Sequence, residues 1–166
     1  MNFELPQIPM QPLLDDISAM VAVPSVRSTP PAGQEETMPF GEQVNRAIEV
    51  ACDIGRRMGF DAKNLGYGAL IVWPCGKENA GRLCIAAHLD VVAAGDNWAT
   101  DPFTATVVEG NLWGRGTLDD KGPGLGALHG IYALKQAGYQ PNVDIHFFFG
   151  GNEESGMADI RNYVRD

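Results

Sequence analysis

Cysteine is scarce in this sequence, and a long apolar run is missing altogether. The three cysteines, Cys52, Cys75 and Cys84, form no Cys-x-x-Cys pair. An odd number at such spacing argues against a disulfide framework and is typical of a reducing compartment. No stretch is apolar over the roughly 20 residues that a membrane-spanning helix needs. Residues 1–4 lack the basic and apolar regions with which a signal peptide begins. We therefore expect a soluble cytoplasmic protein with no membrane partner.

Basic residues are also in short supply. Lys and Arg number 12 against 21 Asp and Glu, which gives a net charge of -9. Because an acidic chain repels phosphate backbones, we expect no nucleic-acid partner. The remaining composition, 45% hydrophobic and 20% charged over 166 residues, is that of one ordinary globular domain.

Apolar periodicity divides the chain into alternating helices and strands. Helical spacing predicts helices over 10–23, 40–58, 123–137 and from 157 onward. Short apolar runs predict strands over 69–73, 83–87 and 143–149, and a hairpin that joins 104–108 to 112–113. This alternation predicts an α/β fold with a mixed, mostly parallel sheet flanked by helices. In such sheets ligands bind beyond the carboxyl ends of the strands.

Two of the predicted strands run directly into polar residues. His88-Leu89-Asp90 follows the first, and Gly150-Gly151-Asn152-Glu153-Glu154 follows the second. If the strands are parallel neighbours, these polar tips meet at one edge of the sheet. Each motif alone has a plainer explanation: a surface histidine beside an acid, and a solvated helix start.

A third polar motif, Asp119-Asp120, lies in a glycine-rich turn before the helix 123–137. A helix N-cap explains one of these acids. A cation held between the acids and His88 explains both. His, Asp and Glu are ligands that suit zinc. The nearby run Gly122–Ala127 fits the dinucleotide fingerprint G-x-G-x-x-A, but a strand does not precede it, and no cofactor-binding residue is predicted.

Taken together, the motifs resemble the M20 family of metallopeptidases. The resemblance is carried by these segments: His88-Leu89-Asp90-Val91-Val92, Gly95, Trp98, Asp101-Pro102-Phe103, Gly110, Gly114-Arg115-Gly116-Thr117-Leu118-Asp119-Asp120-Lys121-Gly122-Pro123 and Asn152-Glu153-Glu154-Ser155-Gly156. Within the family the chain is most similar to the PepV-type dipeptidases. The resemblance therefore implies a zinc-exopeptidase-like catalytic domain that hydrolyses the amide bond of a small peptide substrate.

The resemblance also implies a role for each site residue. His88 would bind one zinc ion, Asp119 would bridge two, and Glu154 would bind the second, so a complete active site holds two Zn²⁺. Asp90 would orient His88, and Glu153 would act as the general base. The peptide bond between Asp119 and Asp120 is expected to be cis.

Two ligands of the family pattern, a downstream aspartate and a late histidine, have no position in this sequence. We therefore expect residues 1–166 to be the N-terminal part of the catalytic domain, inactive alone, with the rest of that domain and a lid or dimerisation domain absent. Two alternatives stay open. One is a related deacylase of the aminoacylase or succinyl-diaminopimelate desuccinylase type, and the other is a non-catalytic relative of the fold.

Overall fold

The computed structural model describes residues 5–165, so the expected domain limits, 1 and 166, lie outside the described residues. The chain forms four helices and six strands within this range. The helices are α1 (Met10–Val21), α2 (Glu42–Arg57), α3 (Lys121–Gln136) and α4 (Ala158–Arg165). The strands are β1 (Asp61–Asn64), β2 (Gly68–Trp73), β3 (Arg82–His88), β4 (Thr106–Val108), β5 (Asn111–Trp113) and β6 (Asp144–Gly150).

Four strands form the main sheet in the order β1-β2-β6-β3. The strands β3 and β6 run parallel, with His88 opposite Gly150 at their carboxyl ends. The strands β4 and β5 form the predicted hairpin as a separate two-stranded sheet. The expected neighbours in the main sheet are therefore confirmed, and their polar tips lie at one edge.

The sheet is mixed, as predicted, but the expectation of a mostly parallel sheet is wrong for the described residues. Of its three strand pairs, only β3–β6 is parallel, while β1–β2 and β2–β6 are antiparallel. For β1 and β2 the antiparallel direction has a local cause. Three residues, 65–67, connect the two strands, and so short a connection permits only an antiparallel pair.

Helices cover both faces of the sheet. Phe147 and Phe149 point towards the core that α1, α2 and α3 share. Phe148 points to the opposite face, where its ring stacks on Tyr163 of α4 at a centroid distance of 4.5 Å. Alternation along one buried strand thus supplies apolar side chains to both layers.

Glycine permits the close approach of α3 to the sheet. A Cβ atom on Gly124 would lie 2.7 Å from the Phe149 ring and 2.8 Å from the Cβ atom of Ala87. The absence of a side chain therefore brings the first turn of α3, and the two aspartates that precede it, directly above β3.

Candidate functional site

The site is built on the carboxyl ends of β3 and β6. The ladder continues one residue past β3, where the backbone N–H of Leu89 donates to the carbonyl of Gly150 at 2.8 Å. His88 therefore leaves β3 beside the turn that carries Glu153 and Glu154. That turn is a 3₁₀ helix over Glu153–Ser155.

The buried imidazole of His88 has a partner on each nitrogen. Its Nδ1 atom lies 2.9 Å from the backbone carbonyl oxygen of Asp90. Its Nε2 atom lies 3.1 Å from Oδ1 of Asp119 and 3.8 Å from Oε2 of Glu153. A carbonyl oxygen only accepts, so the proton of the neutral ring lies on Nδ1 and the Nε2 lone pair faces the carboxylates.

Asp90 connects the two strand ends. Its buried carboxylate accepts the backbone N–H of Glu153 on Oδ1 at 3.0 Å and that of Glu154 on Oδ2 at 3.1 Å. Its Oδ1 atom lies 3.5 Å from Nδ1 of His88, farther than the backbone carbonyl of the same residue. The carboxylate of Asp90 thus binds the glutamate turn more closely than it binds the histidine that the sequence suggested as its partner.

Ser25 is a site residue that the sequence analysis missed. Its buried hydroxyl donates to the carbonyl of Leu89 at 2.6 Å, and its own carbonyl accepts the N–H of Val91 at 3.1 Å. These two bonds hold the backbone on both sides of Asp90. No motif marks such a serine, because its partners are backbone groups distant in sequence.

The Asp119-Asp120 turn lies above His88, and its peptide bond is cis, as expected. Asp120 occupies the N-cap position of α3, but its side chain makes no capping hydrogen bond. Its carboxylate instead interacts with the backbone of His88. The simple N-cap explanation of the acidic pair is therefore not supported. The next residue, Lys121, is fully buried and donates to the carbonyls of Met20 and Val23 at 3.0 and 2.8 Å.

The crowding of acids around one imidazole shifts several pKa values. Burial alone lowers the pKa of His88, but hydrogen bonds to Asp90 and Asp119 outweigh it and raise that pKa from 6.5 to about 9. Burial raises the pKa of Glu154. The charge of His88 opposes this increase, and the charges of Asp119 and Glu153 add to it. Burial and the charge of Asp119 also raise the pKa of Asp120. Negative charge is therefore in excess at the site.

The donor set fits a cation. Ligand atoms of His88, Glu153 and Glu154 all lie within 4.8 Å of one another, and Asp119 approaches the same histidine nitrogen. One imidazole and several carboxylates suit zinc and similar divalent ions. Glu153, expected to be the base, lies in this cluster together with the expected ligands. The geometry brings all five predicted site residues together.

A cavity of about 330 Å³ opens beside the cluster. His88, Asp119, Asp120 and Glu153 form its polar side. The rest of the lining is mainly apolar and comes from β3, β6, α4 and the residue before α4: Ala86, Ala87, Phe148, Met157 and Ile160. The cluster is therefore accessible, which a site that binds a metal and a substrate requires.

The sequence is similar to known peptidases. Residues 84–165 match the sequence model of Peptidase family M20/M25/M40. The Beta-Ala-Xaa dipeptidase of Lactobacillus delbrueckii subsp. lactis is 35% identical over 99% of this chain, and the putative dipeptidase YtjP of Bacillus subtilis is 33% identical over 99%.

The fold is similar as well. The crystal structure of human carnosine dipeptidase 1 superposes with a TM-score of 0.72 at 27% identity, covering 93% of this chain and 34% of that structure. The chain spans 35% of the length of each of the two curated bacterial relatives. Among residues 5–165 no helix has the length and apolar character required to cross a membrane.

Proposed function

Residues 84–165 match the sequence model of peptidase family M20/M25/M40, and on that premise we propose that the chain contributes to the active site of a zinc-dependent dipeptidase. The observation that carries the proposal is the convergence of His88, Asp119, Glu153 and Glu154 at the ends of β3 and β6. These side chains come from three distant segments of the sequence, and a shared ligand accounts for all of them at once.

Each residue has a role that its surroundings support. His88 would bind one zinc ion through Nε2, because Nδ1 is committed to the carbonyl of Asp90. Asp119 would bridge two ions, and Glu154 would bind the second. When bound, zinc polarises the peptide carbonyl and lowers the pKa of a water ligand towards about 7.

Glu153 would move the proton. Its Oε2 atom lies 3.8 Å from Nε2 of His88, beside the place where the ligands converge, and its side chain is 44% exposed. A half-exposed carboxylate at this position can take a proton from the attacking water and deliver it to the leaving amine. Asp90 would hold the glutamate turn in place, since its carboxylate accepts the backbone N–H groups of both glutamates.

The proposed substrate is a dipeptide, in keeping with the names of the curated relatives. We propose that residues 1–166 form the N-terminal part of the catalytic domain, that further zinc ligands lie in the rest of the full-length protein, and that it works in the cytoplasm. On its own the chain would be inactive, because each of two zinc ions would have only two of the proposed ligands.

The test is a zinc titration of the full-length protein combined with hydrolysis assays. We expect two zinc ions per protein and cleavage of unblocked dipeptides. Faster cleavage of N-acetyl or N-succinyl amino acids would replace the dipeptidase proposal with a deacylase. Neither zinc nor hydrolysis would contradict the enzyme proposal and favour a non-catalytic relative of the fold.

A further inference from the structure

Gly150, the last residue of β6, and the following Gly151 lead into the glutamate turn, and each makes room for a different neighbour. A Cβ atom on Gly150 would lie 2.1 Å from Oδ2 of Asp159, and one on Gly151 would lie 2.7 Å from Cγ1 of Val44. The first contact is the informative one, because it shows that a carboxylate of α4 reaches into the backbone just before Glu153.

Asp159 is buried, with 2% of its surface exposed, and its carboxylate is occupied by backbone donors. Its Oδ2 atom accepts the N–H of Asn152 at 2.7 Å, and its Oδ1 atom accepts the N–H of Ile160 at 2.8 Å. The bond to Asn152 joins α4 to the turn that carries both glutamates. Asp159 also lines the cavity beside His88.

Three consecutive backbone N–H groups of the turn are therefore held by two buried carboxylates. The N–H of Asn152 donates to Asp159, and those of Glu153 and Glu154 donate to the two oxygens of Asp90. Asp90 comes from the end of β3, and Asp159 comes from α4. The turn is thus anchored from two sides, and hydrogen bonds to a charged acceptor are the stronger class.

We propose that Asp159 is a positioning residue for Glu153 and Glu154, a role that rests on the function proposed above. Asp159 is not one of the proposed zinc ligands, and both of its carboxylate oxygens accept backbone N–H groups. It fixes the backbone from which the two glutamate side chains project, so that Glu154 stays directed at the metal and Glu153 at the water. Loss of a residue that orients metal ligands typically lowers metal affinity or activity about 10- to 100-fold.

The experiment compares Asp159→Ala, Asp159→Asn and Gly150→Ala in the full-length protein. Asp159→Ala removes the acceptor, while Asp159→Asn retains one carbonyl oxygen for the N–H of Asn152. Gly150→Ala leaves the carboxylate in the chain but places a methyl group where it sits. Asp16→Asn is the matched control, because Asp16 is a buried acid that contacts His129 and Arg57 instead of the turn.

Two readouts are needed, of which one requires no activity. Hydrogen exchange of the metal-free protein reports whether the amides of residues 152–154 are held. Zinc affinity from chelator competition, together with kcat and KM, reports whether the side chains of Glu153 and Glu154 are correctly positioned. We expect Asp159→Ala and Gly150→Ala to exchange faster over 152–154, to bind zinc about 10- to 100-fold more weakly and to lose kcat with little change in KM. Asp159→Asn should recover most of these losses.

The outcomes separate this inference from the function on which it rests. Unchanged exchange and unchanged zinc affinity in Asp159→Ala would overturn the positioning role while leaving the dipeptidase proposal intact. A wild-type protein that binds no zinc would overturn the dipeptidase proposal and the positioning role with it, and the exchange data would still report whether the anchor exists. If Asp159→Ala does not fold, Gly150→Ala and Asp159→Asn decide. Losses as large in the Asp16→Asn control would mean that general destabilisation is the cause, which also contradicts the inference.

Discussion

The Nε2 atom of His88 lies 3.1 Å from the Oδ1 atom of Asp119, although 31 positions separate the two residues in sequence. The contact places the free nitrogen of a strand-end histidine against a carboxylate from the turn before α3. In the metal-free protein it is a hydrogen bond that favours the imidazolium, whereas a bound zinc ion requires the neutral ring. Proton and metal therefore compete for the same atom.

This competition predicts proton release on zinc binding. The pKa of His88 is raised to about 9, so at pH 7 the ring carries a proton that zinc must displace. From this group alone, zinc affinity should rise up to tenfold per pH unit as the pH approaches 9 and level off above it. Calorimetry in buffers of different ionisation enthalpy measures the protons released. An affinity independent of pH between 7 and 9 would contradict the prediction.

The same pKa predicts how the stability of the metal-free protein depends on pH. Because the folded pKa lies above the unfolded value of 6.5, His88 contributes stability that is fully present below about pH 6.5 and lost as the pH rises through about 9. Urea unfolding at a series of pH values measures this contribution. The His88→Gln variant is the control, since the pH-dependent contribution of His88 to the free energy of unfolding should be missing from its profile.

The third prediction concerns the two glutamates, whose roles differ although they are neighbours. We expect Glu153→Gln in the full-length protein to keep its zinc and to lower kcat by at least about 10². Glu154→Gln should lose zinc, because it removes a charged ligand. Metal analysis with steady-state kinetics distinguishes the two variants. Zinc lost from Glu153→Gln and kept by Glu154→Gln would show that the two roles are reversed.

The fourth prediction concerns a buried carboxylate away from the site. The carboxylate of Asp16 contacts Nε2 of His129 at 2.8 Å and also binds Arg57. Asp16→Ala should lower the free energy of unfolding by about 2 kcal/mol, because it leaves a buried imidazole without its hydrogen-bond partner. Asp53→Ala, which breaks an exposed pair with Arg56, should cost under about 1 kcal/mol. Urea unfolding compares the two variants, and equal losses of unfolding free energy would contradict the prediction.

The fifth prediction concerns residues 1–166 expressed by themselves. Of the proposed ligands, His88, bridging Asp119 and Glu154 supply only two to each zinc ion, whereas catalytic sites commonly have three. We expect this chain to bind fewer than two zinc ions tightly and to leave dipeptides uncut. Calorimetric titration with zinc and a cleavage assay measure both properties. Two tight sites, or measurable turnover, would mean that no further ligands are needed.

Much of this arrangement could be predicted from the sequence. The buried strand β6 is a continuous apolar run and β3 is a short one, so both stand out in the sequence, and the polar residues that follow them mark the strand ends. Parallel neighbours then require His88 and the glutamate pair to meet. The weak strand β1 was missed, because Asp61–Asn64 is polar and half exposed and is a strand only through its pairing with β2.

Only the tertiary structure decided how the site is held. A sequence pattern reports which side chains avoid water, but it carries no record of which backbone N–H group a distant carboxylate accepts. Asp90 therefore resembled a partner for His88 alone, whereas its carboxylate anchors Glu153 and Glu154. The contact between Asp159 and Asn152 depends on where α4 packs, which the missing side chain of Gly150 permits. Residue types determined the chemistry of the site, and packing determined its geometry.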